Sequence, residues 1–194
     1  WAVINTEHCG FHPNAEMYPE VVLTLWDDHD IPILAAAADA VHEHGGLFGA
    51  QLAYSGGFFA NRLSRDVPIG PADRPVPEFD PVQARAMDKR DIGQMQDWFR
   101  AAVKRAVQAG VDIINISSQY SSVAFHLLSR RNRRNDEYGG TLENRARLLR
   151  DLIEIAREAA KGDVAVTLRV IIEELIGARG LNAHEDGKEM IEHL

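Results

Sequence analysis

The sequence predicts an α/β fold, about half of an eight-stranded (β/α) barrel, laid out as consecutive strand–helix units over residues 1–194. Three observations lead there. Its short β-branched runs are apolar on nearly every residue, as parallel strands buried on both faces are. A segment with apolar residues at helical spacing follows each run, and β–α units in series make right-handed crossovers. Four units share 194 residues, about 48 each, which is long for a doubly wound sheet and suits a barrel with elaborated loops. Four strands cannot close an eight-stranded barrel. Either the rest lies elsewhere in a longer polypeptide, or two halves associate as a homo-oligomer. The opening at Trp1, directly on a strand-like run, favours a piece of a longer chain.

The elements follow in order. Ala2–Thr6 is the first strand. A helix starts at Asp30, which can cap its free amides, with Pro32 tolerated in the first turn. Leu34, Ala37, Ala38 and Val41 share one face of it, and Gly45–Gly46 ends it. Leu47–Ala53 is the second strand, followed by a Gly/Pro/Asp-rich loop from Tyr54 to Met87. Asp88 and Asp91 then provide a cap and a first-turn acid. The helix from Lys89 carries Ile92, Met95, Phe99, Ala102, Val103 and Ala106 on one face and stops at Gly110. Val111–Ile116 is the third strand; Thr141 caps a helix with Leu142, Ala146, Leu149, Ile153 and Ala156 as its stripe. Val164–Val170 is the fourth strand, and Glu185–Leu194 begins a fourth helix.

Composition narrows the function. With 21 basic against 29 acidic residues the net charge is −8, which argues against a nucleic-acid partner. No apolar run approaches the roughly 20 residues that span a bilayer, so no membrane partner is expected. The single Cys9 excludes an internal disulfide and four-cysteine metal sites within the chain. It fits a reducing compartment, and with no export signal in view a cytoplasmic location is expected.

In parallel α/β folds the ligand sits at the carboxyl ends of the strands. That rule singles out Thr6–Glu7–His8, Gln51 to Tyr54, Ser117–Tyr120 and Arg169. Gln51 offers an amide donor and acceptor that match a pyrimidine-like edge, and Arg169 a fixed positive charge. A buried hydrogen-bonded pair inside a barrel is the alternative reading. His8-Cys9-x-x-His12 has three possible metal ligands but no acidic support, so it reads as loop packing and no metal is expected. His42 and His44 read as helix-end cations. Arg130, Arg131, Arg133 and Arg134 form either a salt-bridged loop or a contact for a substrate carboxylate or phosphate. Tyr54, Phe58 and Phe59 either line an aromatic bowl or pack the long loop.

The strongest signature runs from Asn132 to Arg145 and reads N-x-R-x-D-E-Y-G-G-[ST]-x-E-N-R. It closely resembles that of the Old Yellow Enzyme-like FMN oxidoreductases, with Gln51, Arg169 and G-V-D-I-I at matching spacings. The opening W-A-V-I-N-T-E-H-C and the segment D-P-V-Q-A-R-A-M-D-K-R-D-I look most like the trimethylamine dehydrogenase and N-methyl amino acid demethylase branch. The resemblance covers essentially the whole chain. It implies an FMN-binding barrel in which Gln51 meets the flavin pyrimidine edge, Arg169 lies by the ring nitrogen, and Glu7 approaches through its backbone. The family's opening strand and last three strands, which carry the flavin phosphate site, find no match here. In longer branch members an iron–sulfur cluster and a second nucleotide-binding region lie downstream.

Ser117 and Tyr120 stand where the reductases place H-x-x-H or H-x-x-N, and Ser122 where many place a proton-donating Tyr. Without those donors, polarising an enone and protonating its α-carbon are disfavoured. The expectation is therefore oxidative N-demethylation of a small methylated amine or N-methyl amino acid, with Tyr120 and Ser117 at the substrate and an electron-transfer partner downstream. An NAD(P)H-dependent ene or dienoyl-CoA reductase, taking an enone, is the first alternative. A non-catalytic barrel remnant serving as an interaction surface is the second.

Overall fold

Among the described residues, eight strands, β1 (Val3–Gly10), β2 (Leu23–Thr24), β3 (Leu47–Ala53), β4 (Ile69–Gly70), β5 (Arg74–Pro75), β6 (Gln83–Ala86), β7 (Ile113–Ser118) and β8 (Ala165–Val170), fall into two sheets. They belong to a computed structural model that describes residues 1–17, 22–77, 82–162 and 164–194. Positions 78–81 of the expected long loop, which include the first two residues of the D-P-V-Q segment, lie outside the described residues. The main sheet has the order β2-β1-β3-β7-β8, all parallel. From β1 onward, strands adjacent in this sheet follow chain order. That is the winding of a barrel, whereas a doubly wound sheet reverses its order. The result is a partial barrel.

Three helices cover one face: α1 (Ile31–His42), α2 (Lys89–Gln108) and α4 (Leu142–Ala160). Phe48, Ala50 and Leu52 of β3 and Ile114 and Ile116 of β7 share one apolar core with Leu34, Phe99, Val103, Leu149 and Ala156. All the apolar positions assigned to the helix from Lys89 are buried. Two caps form as expected. The Asp88 carboxylate accepts the N–H groups of Arg90 and Asp91, while that of Asp91 accepts Asp88 N–H. Thr141 Oγ1 accepts Asn144 N–H at 3.3 Å. The first helix differs. Asp27 caps a 3-10 turn over Asp28–Asp30, and the Asp30 carboxylate instead accepts from Trp26 N–H and Thr24 Oγ1. The chain enters α1 one turn early, so its orphan amides are met before Asp30.

Four features depart from expectation. β1 runs on to Gly10 past a ladder irregularity between Asn5 and His8, and β7 runs on through Ser117 and Ser118, whose polarity hid them from an apolar criterion. The loop after β3 holds the small sheet β4-β6-β5. A helix, α3 (Val123–Leu128), follows β7 with all six residues buried, so it has no polar face to give a periodic signal. Lastly, β3 is buried from Phe48 to Ala53, but β8 alternates exposed and half-buried residues because it is the sheet's edge. The last helix, α5 (Gly187–His193), lies within the expected span. Among the described residues no helix is long and apolar enough to cross a membrane.

Candidate functional site

Residues opposite one another in parallel register share a face, and the face away from the helices is polar toward the strand ends. His8, Gln51, Asn115 and Thr167 form one row across β1, β3, β7 and β8, and Ser117 and Arg169 begin the next. The structure thus brings together Gln51, Ser117 and Arg169, which the sequence separates by up to 118 residues.

Gln51 is 3% exposed, and Arg169 Nη1 lies 3.4 Å from its Oε1. The amide of Gln119 completes the group. With its amide oxygen and nitrogen exchanged, the orientation that satisfies both atoms, its oxygen accepts from Gln51 Nε2 at 3.2 Å and from Arg169 Nη1 and Nε at 3.0 and 3.3 Å. Three donors therefore converge on one amide oxygen, the same kind of acceptor that a pyrimidine-dione carbonyl offers. The residues present fit the pyrimidine edge of a flavin. Gln119 falls within the Ser117–Tyr120 stretch marked by the sequence, but one Gln after a polar strand end has no pattern that assigns it a role. Glu7 is exposed where the β1 ladder steps from Asn5 to His8. Thr6 Oγ1 accepts Gln51 N–H at 2.9 Å there.

Ser117 is buried, with Oγ 3.3 Å from His8 Nε2. His8 Nδ1 lies 3.1 Å from Met17 Sδ, which can only accept. The Nδ1 proton therefore points at the thioether, and Nε2 accepts the Ser117 hydroxyl proton. Burial lowers the His8 pKa; Glu7 opposes this and Arg169 adds to it, so the imidazole is neutral near pH 7. Tyr120 is 55% exposed, its ring edge-on to Phe58 with centroids 5.0 Å apart. Ser122 is spent on structure: its Oγ donates to Gln119 C=O and accepts Phe125 N–H, capping α3.

Other candidates are structural. His12 stacks on Trp98 with centroids 3.5 Å apart, and Cys9 is fully buried. Tyr54 stacks on Phe11 in the core, so of the three loop aromatics Phe58 is the one that meets Tyr120. Arg130 pairs with Glu185 and Asp186, and Arg131 with Glu174.

The Asn132–Arg145 signature is also a structural device. Asn132 Nδ2 donates to the carbonyls of Leu127 and Tyr138, closing the loop on itself. Arg134 pairs with Asp136 and donates to the carbonyls of Pro71 and Met87, which ties the loop to the small sheet. That guanidinium holds the Asp136 carboxyl below the usual carboxylate range. A Cβ on Gly139 would collide with the Arg134 carbonyl.

Comparison with known proteins gives the family of the chain. The chain is 32% identical over 200 residues to dimethylamine dehydrogenase from Hyphomicrobium sp., covering 99% of this chain and 27% of that protein. It is 34% identical over 170 residues to NADPH dehydrogenase from Geobacillus thermodenitrificans, covering 86% of this chain and 48% of that one. The structure of histamine dehydrogenase from Rhizobium sp. 4-9 superposes with a TM-score of 0.93 at 43% identity, covering 99% of this chain and 28% of that one. The chain thus spans under a third of these amine dehydrogenases and about half of the NADPH dehydrogenase. Residues 1–193 match the NADH:flavin oxidoreductase / NADH oxidase family of FMN oxidoreductases, and the chain belongs to that family.

Proposed function

We propose that residues 1–194 are the central part of the FMN-binding barrel of an oxidoreductase that N-demethylates a small methylated amine or N-methyl amino acid. The observation that carries this reading is the convergence of Gln51 and Arg169 on the amide oxygen of Gln119 toward the ends of β3 and β8, with Tyr120 next in the chain. The likeness to dimethylamine and histamine dehydrogenases supports the amine class.

Gln51, Arg169 and Glu7 would hold FMN, which when bound would supply the two-electron acceptor for a hydride equivalent from the N-methyl C–H; hydrolysis of the substrate iminium by water would then give formaldehyde and the demethylated amine. Gln51 orients the ring edge with its amide, and Glu7 approaches through its backbone. Arg169 holds positive charge where negative charge develops on reduction, which strengthens the acceptor. Tyr120 and Phe58 form an aromatic wall suited to a methylated amine, and Tyr120 orients it. Ser117, held by His8, fills the wall behind. No spare acid stands at Ser122 to protonate an alkene carbon. An electron acceptor and any iron–sulfur cluster come from outside these residues, whose lone thiol is buried. That reduced thiol suits a cytoplasmic setting.

FMN titration followed by flavin fluorescence, then anaerobic addition of N,N-dimethylglycine or dimethylamine to the full-length protein, tests the reading. Bleaching of the flavin with release of formaldehyde is expected. Dihydronicotinamide oxidation coupled to alkene loss, with no amine turnover, would replace it by the reductase reading that the NADPH dehydrogenase likeness favours.

A further inference from the structure

A cleft of about 800 Å³ opens between the small sheet and the signature loop, lined among others by Arg74, His126 and Arg131. Arg74 Nε and Nη2 are buried and have no hydrogen-bond partner among the described residues, and the same holds for His126 Nε2. His126 as a whole is 8% exposed. Nε and Nη2 form the side-on edge of a guanidinium, two parallel donors spaced for both oxygens of one carboxylate. Leaving such an edge shielded from water and unpaired costs free energy that a ligand recovers on displacing its cover.

Among the described residues, the carboxylates nearby are already engaged. Glu174 pairs with Arg131 and accepts from Ser129 and Leu181 N–H. Asp136 is taken by Arg134, and Asp73 accepts Ala86 N–H. Burial and then the Arg131 charge lower the Arg74 pKa, and burial, Arg74 and Arg131 push His126 down to about 3. Among the described residues, no carboxylate pairs with the Nε/Nη2 edge of Arg74.

The cleft also adjoins the candidate substrate position. The His126 ring lies 6.1 Å from Tyr120 and 5.8 Å from Phe58, centroid to centroid. Tyr120 follows Gln119, whose amide meets Arg169. We propose that Arg74 receives a substrate carboxylate through its Nε/Nη2 edge, so that the substrate is an N-methylated amino acid and not a simple alkylamine. The inference rests on the demethylase reading of the adjoining site. A carboxylate is favoured over a phosphate because the free donors are one planar pair, not a cradle.

The test is calorimetric titration of the purified protein with N,N-dimethylglycine, dimethylamine and inorganic phosphate, on the parent sequence and on Arg74→Gln. At least tenfold tighter binding of dimethylglycine than of dimethylamine is expected, and Arg74→Gln should abolish the difference while FMN affinity stays unchanged. If Arg74→Gln fails to fold, Arg74→Lys, which keeps the charge and loses the fork, should also weaken dimethylglycine at least tenfold. Equal affinities for the two amines, an unaltered preference in the folded variant, or tighter binding of phosphate than of dimethylglycine would each overturn the assignment. Flavin bleaching by both amines without carboxylate preference sinks this inference and leaves the demethylase reading. Carboxylate-selective binding with no FMN uptake sinks that reading instead.

Discussion

The guanidinium of Arg169 lies 3.4 Å from the amide oxygen of Gln51 although 118 residues separate them, because β7 sits between their strands in continuous parallel register. Both then turn donors to Gln119. A ligand with a pyrimidine-dione edge has to take the place of that amide. Gln51→Leu is therefore expected to weaken FMN binding about tenfold or more, and Arg169→Leu by at least as much, since a charge-assisted bond is lost. Flavin fluorescence titration reads both. Unchanged affinity in the two folded variants would remove these residues from the cofactor site.

The signature loop should behave as a clasp. Arg134 is largely buried and joins Asp136 to two backbone carbonyls of a distant segment. Arg134→Ala is expected to destabilise the protein by about 2–4 kcal/mol, the cost of orphaning such a partly buried group. Gly139→Ala should be at least as severe, because the Arg134 carbonyl occupies the space of the new methyl. Urea denaturation measures both, and losses below about 0.5 kcal/mol would contradict a structural role.

Acid should destabilise the fold through His126. Burial, Arg74 and Arg131 hold its pKa at about 3, below the ordinary 6.5. Between those values the unfolded chain binds the extra proton, so this stability is intact above pH 6.5 and is lost as pH falls toward 3. His8 is shifted in the same direction, by burial first. The slope contributed by one such group reaches at most about 1.4 kcal/mol per pH unit. Thermal unfolding from pH 7 to pH 4 should show the loss, and His126→Gln should flatten it. A variant as acid-sensitive as the parent would place the titration elsewhere.

Cys9 should be unreactive while the protein is folded. It is fully buried, and burial, with Asp30 nearby, pushes its thiol up to about 12. Alkylation by iodoacetamide at pH 8 should proceed only after denaturation, because the thiolate is the reactive form. Rapid labelling of native protein would show that β1 opens locally.

Much of the fold was legible because its determinants are local or periodic. The capping pair Asp88 and Asp91 lies within one helical turn, and Leu47–Ala53 carries its burial in its composition. The α3 helix was not legible, since six buried residues in a row give no period. Nor was the true end of β7, where Ser117 and Ser118 pair with β8 by backbone bonds that their side chains do not announce. Of the candidate site, Gln51 and Arg169 stood out as polar residues inside apolar strands. Gln119 lay within the marked Ser117–Tyr120 stretch without a role, and Arg74 and His126 did not stand out, because the partners that make these residues notable are distant in the chain.

The sequence by itself determined the parallel α/β class, the family through the Asn132–Arg145 signature, and the rim on which polar residues gather. These follow from residue type, spacing and strand polarity, all of which are properties of short segments. The tertiary structure alone decided what those residues do. It turned the signature into a clasp through the carbonyls of Pro71 and Met87, and it tied the Ser117 proton to His8. It also gathered Gln51, Gln119 and Arg169 around one oxygen and left the edge of Arg74 without a partner among the described residues. The physical reason is that hydrogen bonding and desolvation act over a few ångströms in space, and only the folded sheet brings residues more than a hundred positions apart within that range.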